Sequence, residues 1–183
     1  GIGCGSGGDA SIKQKLRAVL SCGKPAVIDA DGLNNLDNEL KKLLSLRHVL
    51  TPHPGEMARL TGKSIEDVLR DPAGFAENTA KAFGCIVLLK GAVSVAAHPD
   101  GRLRYNASGN PGLAKGGSGD VLTGIITALL AQGLEPFDAA SAGAYILGSS
   151  AESALELLHE RALTAGDVLD AIEKTAGITE HRN

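Results

Sequence analysis

The chain has 183 residues and a formal net charge of −3, and 43% of its residues are hydrophobic while 21% are charged. This length and balance are typical of a globular protein with one hydrophobic core, so we expect a single domain over residues 1–183. The small negative charge and the 3% of aromatic residues, with no cluster of Arg and Lys among them, argue against a nucleic-acid partner.

The first third of the chain predicts two strands separated by helices. A helix follows a capping Asp9, and its apolar residues recur at helical spacing at Ile12, Leu16, Val19 and Leu20. The segments "AVID", ending at Asp29, and "HVLT", ending at Thr51, read as short buried strands. A second helix is predicted over much of 33–46.

The rest of the chain continues the alternation of strands and helices. "CIVLLK" (85–90) is the clearest buried strand, and "SVAAH", the turn "PDG" and "RLRYN" predict a β-hairpin. Further helices are predicted near 56–60, 65–69, 73–83, 120–132, 137–159 and 165–175. This order predicts an α/β layered fold with a mostly parallel central sheet flanked by helices. Ligands bind beyond the carboxyl ends of such strands, where this sequence has Asp29, Thr51, His53 and Lys90.

The segment "NPGLAKGGSGDVL" (110–122) concentrates four glycines before an uncharged run that we predict to be a buried helix. Glycines let several backbone N–H groups turn to one side, and such a nest at a helix N-terminus binds phosphate. Ser118 can cap the helix or donate its hydroxyl. Asp120, in the first turn, can act as a general base on a hydroxyl beside a phosphoryl group. The structural alternative is that Asp120 only complements the helix dipole.

Two other nucleotide-binding motifs are disfavoured. The P-loop pattern GxxxxGK[ST] is absent, because Lys115 precedes the glycines instead of following them. Gly3, Gly5 and Gly8 satisfy GxGxxG with Asp29 at a suitable distance, but no strand precedes these glycines in this chain.

Cellular location is predicted from the cysteines and the apolar runs. Cys4, Cys22 and Cys85 have the spacing of neither a disulfide framework nor a CxxC metal site, and free thiols fit a reducing cytosol. No signal-peptide pattern is visible. The longest uncharged runs, 121–134 and 139–151, are shorter than the ~20 residues that cross a bilayer. We therefore expect a cytoplasmic protein with no membrane partner.

Several motifs stand in a specific order along nearly the whole chain. They are "GIGCG" (1–5), "DADGLN" (29–34), "LTPHPGEMARLTG" (50–62), "LLKGAVS" (88–94) and "GNPGLAKGGSGDVLTGIITALLAQGLEPFDAA" (109–140). They resemble GPGLG, DAD-x-LN, TPHPGE, KG-x-x-T with Ser for Thr, and the nucleotide and catalytic loop of one family. That family is the ADP- or ATP-dependent NAD(P)H-hydrate dehydratases, within the ribokinase-like superfamily.

The resemblance implies a ribokinase-like fold and a lyase of nicotinamide-nucleotide repair. Water adds across a ring double bond of NADH or NADPH, and this family uses ADP or ATP, with Mg²⁺, to remove it. A phosphoryl group passes to the hydroxyl of the hydrate, and loss of phosphate restores NAD(P)H. The resemblance also implies a homo-oligomer, often a homotetramer, whose other partners are small molecules.

The same resemblance assigns roles to individual positions. Asp120 matches the substrate-binding and catalytic Asp, and His53 together with Gly3 or Gly5 matches the residues that contact the hydrate. The adenosine nucleotide is expected to contact the strand-end block Lys90, Gly91, Ala92, Val93 and Ser94. Its transferring phosphate is expected to lie on the backbone of Gly116, Gly117, Ser118 and Gly119.

Each polar side chain near the strand ends also has a structural interpretation. Lys90 can be a solvated strand end, and His53 can be a rigid loop residue between two prolines. Glu56 can be a first-turn helix acid, which we favour. Asp29 and Asp31 can cap the following helix or hold Mg²⁺ through water.

The start of the chain departs from the family pattern, because a sizeable N-terminal segment precedes GPGLG in the family. We therefore expect the N-terminal part of the fold to be missing, with residues 1–183 forming the C-terminal part of a longer domain. The choice between ADP and ATP, and the presence of an upstream epimerase domain, stay open. Two alternatives also remain: a vitamin-precursor kinase of the ribokinase-like superfamily, and a non-catalytic nucleotide-binding fragment.

Overall fold

The computed structural model describes residues 1–7, 10–156 and 159–175. Its strands are β1 (Ala26–Ile28), β2 (His48–Leu50), β3 (Ile86–Leu89), β4 (Ser94–Ala97) and β5 (Leu103–Asn106). They form one sheet in the order β1-β2-β3-β4-β5. Strands β1 to β3 pair in parallel, β3 to β5 pair antiparallel, and Ile2 adds a parallel bridge to Ile28. The predicted strands, the hairpin and the mostly parallel sheet are confirmed.

The helices of the described residues alternate with the strands as predicted. They are α1 (Ala10–Ser21), α2 (Asp31–Asn34), α3 (Asn38–Lys41), α4 (Pro54–Thr61), α5 (Ile65–Arg70), α6 (Pro72–Phe83), α7 (Ser118–Ala131), α8 (Pro136–Ala154) and α9 (Ala165–Thr175). Short 3₁₀ turns lie at Pro111–Leu113 and Glu160–Ala162. The predicted cap Asp9, with Gly8 of the GxGxxG pattern, lies outside the described residues.

The predicted continuous helix over 33–46 is wrong. Asp37 has an extended backbone, and its side chain accepts hydrogen bonds from the backbone N–H groups of Glu39 and Leu40. This is the geometry of a helix N-cap, so the chain ends α2 and starts α3 within the region that hydrophobic periodicity joins into one helix.

Two other predicted helix ends are also corrected. The helix predicted over 137–159 ends at Ala154, and the side chain of His159 instead accepts a hydrogen bond from the backbone N–H of Arg161 in a 3₁₀ turn. Ser118 is not the cap of α7, because the N-cap is Gly117, with a left-handed φ of 94°.

The sheet is covered by helices on both faces. Ile28, Leu50 and Val87 pack into one core with α1, α3, α4 and α6, and Val27, Val49 and their neighbours pack into a second core with α7, α8 and α9. Every residue of β1, β2 and β3 is buried, which explains why these strands, apart from His48 in β2, are continuous apolar runs without polar alternation. No helix in the described part of the chain combines the length and hydrophobicity needed to cross a membrane.

Candidate active site

The polar residues that follow the parallel strands lie together at one edge of the sheet. The backbone N–H of Thr51 donates to the carbonyl of Ile28 at 3.2 Å, and that of Lys90 donates to the carbonyl of Pro52 at 2.8 Å. These bonds continue the parallel pairing beyond the strands, so they hold Asp29, Thr51 and Lys90 side by side. The predicted convergence of these strand ends is therefore present in the fold.

Asp29 is the centre of a hydrogen-bond network in which three elements meet. Its side chain is 2% exposed, and its Oδ1 accepts from Nζ of Lys90 at 2.8 Å and from the backbone N–H of Ala30 at 2.9 Å. Its Oδ2 accepts from the hydroxyl of Thr123 at 2.9 Å. The network thereby joins the ends of β1 and β3 to the first turns of α7.

Two structural interpretations from the sequence are corrected by this network. Lys90 is not a solvated strand end, because only 22% of its side chain is exposed and its amine is paired with Asp29. Asp29 does not cap the helix that follows, since α2 has no side-chain cap. Asp31 lies in the first turn of α2, and its Oδ2 accepts the backbone N–H of Gly7 at 2.8 Å.

The "TPHPGE" block forms the start of α4. His53 is the N-cap, and its Nδ1 accepts from the backbone N–H groups of Gly55 at 3.0 Å and Glu56 at 3.4 Å. Glu56 completes a capping box, because its Oε2 accepts the backbone N–H of His53 at 2.9 Å. The same Oε2 lies 4.0 Å from Nζ of Lys90. Glu56 is thus the first-turn acid that we favoured and also a second buried carboxylate beside Lys90.

The glycine loop leads directly into α7 above this network. Gly117 is the N-cap, and Asp120 is the third residue of the helix, exposed at the surface of its first turn. A Cβ placed on Gly119 would lie 3.5 Å from both Oδ2 of Asp29 and Nζ of Lys90. The first turn of α7 therefore packs directly against the ion pair, and its unpaired N–H groups face away from the helix.

Lys115 fastens the glycine loop to the turn that precedes α9. Its amine donates to the carbonyl of Arg161 at 2.7 Å and to that of Leu163 at 2.9 Å. These carbonyls accept hydrogen bonds from the Lys115 amine. Lys115 therefore holds the loop in place, which agrees with its position before Gly116 and Gly117.

The opening glycine motif lies against the end of β1. Gly3 has a φ of 120°, and a Cβ there would overlap the carbonyl oxygen of Asp29, so only glycine fits. The neighbouring Cys4 lies beside Asp120. Burial, reinforced by hydrogen bonding and charge from Asp120, raises the pKa of the Cys4 thiol to about 11.

A pocket of about 410 Å³ separates the opening segment from α7. Residues 1–4 and Ser6 form one side, and the other side is formed by Asp120, Thr123, Gly124 and Thr127. A groove of about 420 Å³ between α4 and α6 is lined by both apolar side chains, such as Phe75, and polar ones, and contains none of the predicted site residues. The pocket beside Asp120 therefore contains predicted site residues, unlike the groove between α4 and α6.

Part of the predicted site lies outside this pocket. Its walls include Gly3 and Asp120, but they do not include Gly5, His53, the block from Lys90 to Ser94 or the loop from Gly116 to Gly119. Gly91, Ala92 and Val93 form an exposed turn between β3 and β4, and Ser94 begins β4. These positions are open to a ligand, although the pocket beside Asp120 does not reach them.

Sequence reasoning missed the polar stripe that α7 presents to the pocket. Asp120, Thr123 and Thr127 are three and four positions apart on a helix whose other residues are mostly apolar. Residues at this spacing share one helix face. The stripe could have been found by asking which polar residues repeat at helical spacing after Asp120.

Mg²⁺, which the family resemblance implies, has two candidate carboxylates beside α7. The described residues contain no group of three or more His, Cys, Asp or Glu side chains that could hold a metal, but Mg²⁺ keeps several waters and needs only one or two carboxylates beside substrate phosphates. Asp29 and Glu56 are such carboxylates, whereas Asp31, the other acid considered for Mg²⁺, accepts the backbone N–H of Gly7. Both oxygens of Asp29 already accept hydrogen bonds, so a Mg²⁺ ion would contact this carboxylate only through water.

Comparison with known proteins gives one consistent result. A family model described as NAD(P)H-hydrate dehydratase matches residues 1–174. The chain is 48% identical over 148 residues to the bifunctional NAD(P)H-hydrate repair enzyme of Moorella thermoacetica, a match that covers 80% of this chain and 28% of that protein. It is 41% identical over 177 residues to the ADP-dependent (S)-NAD(P)H-hydrate dehydratase of Neisseria meningitidis, covering 93% of this chain and 60% of that one. The chain thus spans less than two thirds of either relative.

Solved structures show the same likeness in the fold. The ADP/ATP-dependent NAD(P)H-hydrate dehydratase of Bacillus subtilis, co-crystallised with ATP/Mg²⁺ and soaked with CoA, superposes with a TM-score of 0.85 at 31% identity, covering 97% of this chain and 64% of that one. A ribokinase-like superfamily protein of Enterococcus faecalis superposes with a TM-score of 0.76 at 27% identity, covering 96% and 62%. The predicted ribokinase-like fold is confirmed.

Proposed function

The chain belongs to the NAD(P)H-hydrate dehydratase family, and on that basis we propose that the protein uses ADP or ATP to remove water from the hydrates of NADH and NADPH. The observation that carries this proposal is the position of Asp120. Its carboxylate borders a pocket of about 410 Å³ and is separated by only two residues from a glycine N-cap. A base and an anion site therefore lie within one helical turn.

The N-terminus of α7 is the proposed site of the transferred phosphate. The first N–H groups of a helix have no partner within it, and the helix dipole places partial positive charge there. The backbone N–H groups of Gly116, Gly117, Ser118 and Gly119 would donate hydrogen bonds to the phosphate oxygens, as the family resemblance implies. These fixed dipoles stabilise the charge that develops on the phosphoryl group during transfer.

Asp120 is the proposed general base. It takes the proton of the hydrate hydroxyl as that oxygen bonds to the terminal phosphorus of the nucleotide, and the bond from phosphorus to the bridging oxygen breaks. The shortened nucleotide leaves. Phosphate then departs with the electrons of its C–O bond, the neighbouring ring carbon loses a proton, and the ring double bond of NAD(P)H is restored.

The remaining predicted site residues have distinct proposed roles. Gly3 or Gly5, together with His53, contacts the hydrate, and the exposed turn of Gly91, Ala92 and Val93, with Ser94 after it, contacts the adenosine. The amine of Lys90 is committed to Asp29, so its contribution to nucleotide binding is positive charge below the first turn of α7. Mg²⁺, held through water by Asp29 and Glu56, would neutralise charge on the nucleotide phosphates when bound.

We also propose a cytoplasmic location, from the cysteine pattern, and a homotetramer, from the family resemblance. Both are testable without substrate: light scattering of the purified protein measures its mass in solution, and cell fractionation locates it.

A turnover assay with matched variants tests the proposed function. The chain and the complete gene product that carries it are each incubated with NADPH hydrate, Mg²⁺ and either ADP or ATP, and the return of reduced-nicotinamide absorbance is followed. Asp120→Asn should abolish turnover while the protein stays folded. Asp67→Asn is the matched control, since Asp67 is also the third residue of a helix, α5, far along the chain from the glycine loop.

The outcomes separate the candidate functions. Turnover that is lost in Asp120→Asn and kept in Asp67→Asn supports the dehydratase, and the active nucleotide identifies the phosphate donor. A stable phosphorylated alcohol as product would instead indicate a vitamin-precursor kinase. Nucleotide binding without turnover, unchanged in Asp120→Asn, would indicate a binding module and overturn the proposal.

A further inference from the structure

Thr123 links the proposed base to the ion pair below it. Its hydroxyl donates to Oδ2 of Asp29 at 2.9 Å, a bond between residues 94 positions apart in the chain. Thr123 is 5% exposed and lies three positions after Asp120, so both residues are on the same face of α7. The hydrogen bond and the base therefore move together when the helix moves.

The other contacts of this helix with the body of the protein are mostly non-directional. Leu122, Ile126 and Leu130 pack α7 into the second core, and burial of apolar surface is a non-directional interaction. The loop that precedes the helix contains Gly116 and Gly117, which restrict the backbone little. A hydrogen bond to a buried carboxylate is directional and is among the stronger ones.

Asp29 is itself held in place by the rest of its network. Its Oδ1 is occupied by Lys90 and the backbone N–H of Ala30, which leaves Oδ2 to Thr123. The carboxylate is thus fixed at the end of β1. The hydrogen bond from Thr123 to it then sets the rotation of α7 about its own axis relative to the sheet.

We propose that Thr123 is a positioning residue, whose hydrogen bond to Asp29 fixes the rotation of α7 and so aims Asp120 and the N-terminal amides at the reacting phosphate. The catalytic role of Asp120 rests on the proposed function above. The positioning role concerns the orientation of α7, so the exchange of a backbone amide in this helix tests it separately from turnover.

The experiment compares Thr123→Val, Thr123→Ser and Thr79→Val in the complete gene product. Valine keeps the volume of threonine and removes the hydroxyl, whereas serine keeps the hydroxyl. Thr79 is the matched control, because it is also a buried threonine with a hydrogen-bonded hydroxyl, donated to Sδ of Met57 in the first core. For each protein kcat, the KM for both substrates and the exchange rate of the Val121 amide are measured. That amide donates to the carbonyl of Gly117 at 3.1 Å and reports on the first turn of α7.

Thr123→Val should lower kcat by about 10- to 100-fold, as a misaligned base would, with both KM values within about threefold of wild type. Thr123→Ser should restore kcat to within about threefold of wild type, and Thr79→Val should keep it. The Val121 amide should exchange faster in Thr123→Val alone.

Three results for kcat would contradict the positioning role of Thr123. An unchanged kcat in Thr123→Val, a serine variant as impaired as the valine variant, or an equal loss in Thr79→Val would overturn the positioning role. If wild type shows no turnover, the proposed function fails. The Val121 amide then decides the positioning role, since unchanged exchange in Thr123→Val overturns it and faster exchange supports it.

Discussion

Nζ of Lys90 lies 2.8 Å from Oδ1 of Asp29, although the two residues are 61 positions apart in the chain. The pair joins the carboxyl ends of β1 and β3 beneath the first turn of α7. The same amine is 4.0 Å from Oε2 of Glu56, so one positive charge is shared by two buried carboxylates. Charged side chains therefore form the base of the candidate site, and the stability of the fold depends on the positive charge of Lys90.

Removal of the Lys90 amine should destabilise the fold. Lys90→Met leaves Asp29 buried without its partner, and because 22% of the Lys90 side chain is exposed we expect a loss of about 2–3 kcal/mol in the free energy of unfolding, below the range for fully buried pairs. Urea denaturation measures this loss. The double variant Asp29→Asn/Lys90→Met should recover part of it, because the unpaired charge is gone.

An exposed ion pair provides the control for Lys90. Lys13 pairs with Asp37 at 3.0 Å, and half of the Lys13 side chain is exposed. Lys13→Met should change the urea midpoint little. Equal effects of the two lysine substitutions would show that the Lys90–Asp29 pair is not special to the fold.

The glycine loop should tolerate a side chain at one glycine and not at the next. Gly117 has a φ of 94°, and a Cβ there would lie 3.1 Å from Cβ of Ala165. Gly117→Ala should therefore cost about 1–2 kcal/mol in the free energy of unfolding. Gly116 has no positive φ and no atom within 4 Å of an added Cβ, so Gly116→Ala should leave stability unchanged or raise it slightly. Similar losses at both positions would contradict the assigned loop geometry.

His53 should separate helix capping from substrate contact. His53→Ala removes the acceptor for the Gly55 and Glu56 amides and should cost about 1 kcal/mol of stability. His53→Asn keeps an acceptor at the N-cap and should retain most of it. If the imidazole also contacts the hydrate, both variants should raise the KM for the hydrate to a similar extent. An unchanged KM in both would limit His53 to capping.

The stability of the fold should decline in mildly acidic solution because of His48. The ring is buried in β2, its Nδ1 accepts the backbone N–H of Ser45 at 3.0 Å, and its Nε2 is buried without a partner. Burial, with a smaller contribution from Arg47, lowers the pKa of His48 below the ordinary value of 6.5. Below about pH 6.5 the unfolded chain therefore binds a proton that the folded chain does not, and stability falls as the pH falls toward the folded pKa.

Urea unfolding between pH 7.5 and 5, about the range that brackets the ordinary histidine pKa, measures this decline. His48→Gln should flatten the profile over that interval. A second decline at lower pH belongs to carboxylates such as Asp100, whose pKa is lowered chiefly by the backbone N–H of Arg102. An unchanged slope in His48→Gln would assign the first decline to other groups.

The sequence by itself determined the strands, most of the helices and the family resemblance. The mainly apolar runs at 85–90 and 26–29 correctly predicted β3 and β1. Strands buried on both faces are continuous apolar segments, so they are readily recognised in a sequence. The "TPHPGE" and glycine-loop motifs were readable because each encodes a local structure, a capped helix start and a glycine N-cap. The family, which the motifs indicated, is shown by the match over residues 1–174.

Only the tertiary structure decided how the polar residues are connected. Lys90 read as a solvated strand end because a single sequence does not show that Asp29 lies beside it. The role of Thr123 could not be predicted because its hydrogen-bond partner is 94 positions away. The predicted helix over 33–46 is interrupted because the side chain of Asp37 caps a new helix, which hydrophobic periodicity does not reveal. Hydrogen bonds between distant residues depend on how strands and helices pack in space, and that packing, unlike helix and strand periodicity, leaves no local pattern in the chain.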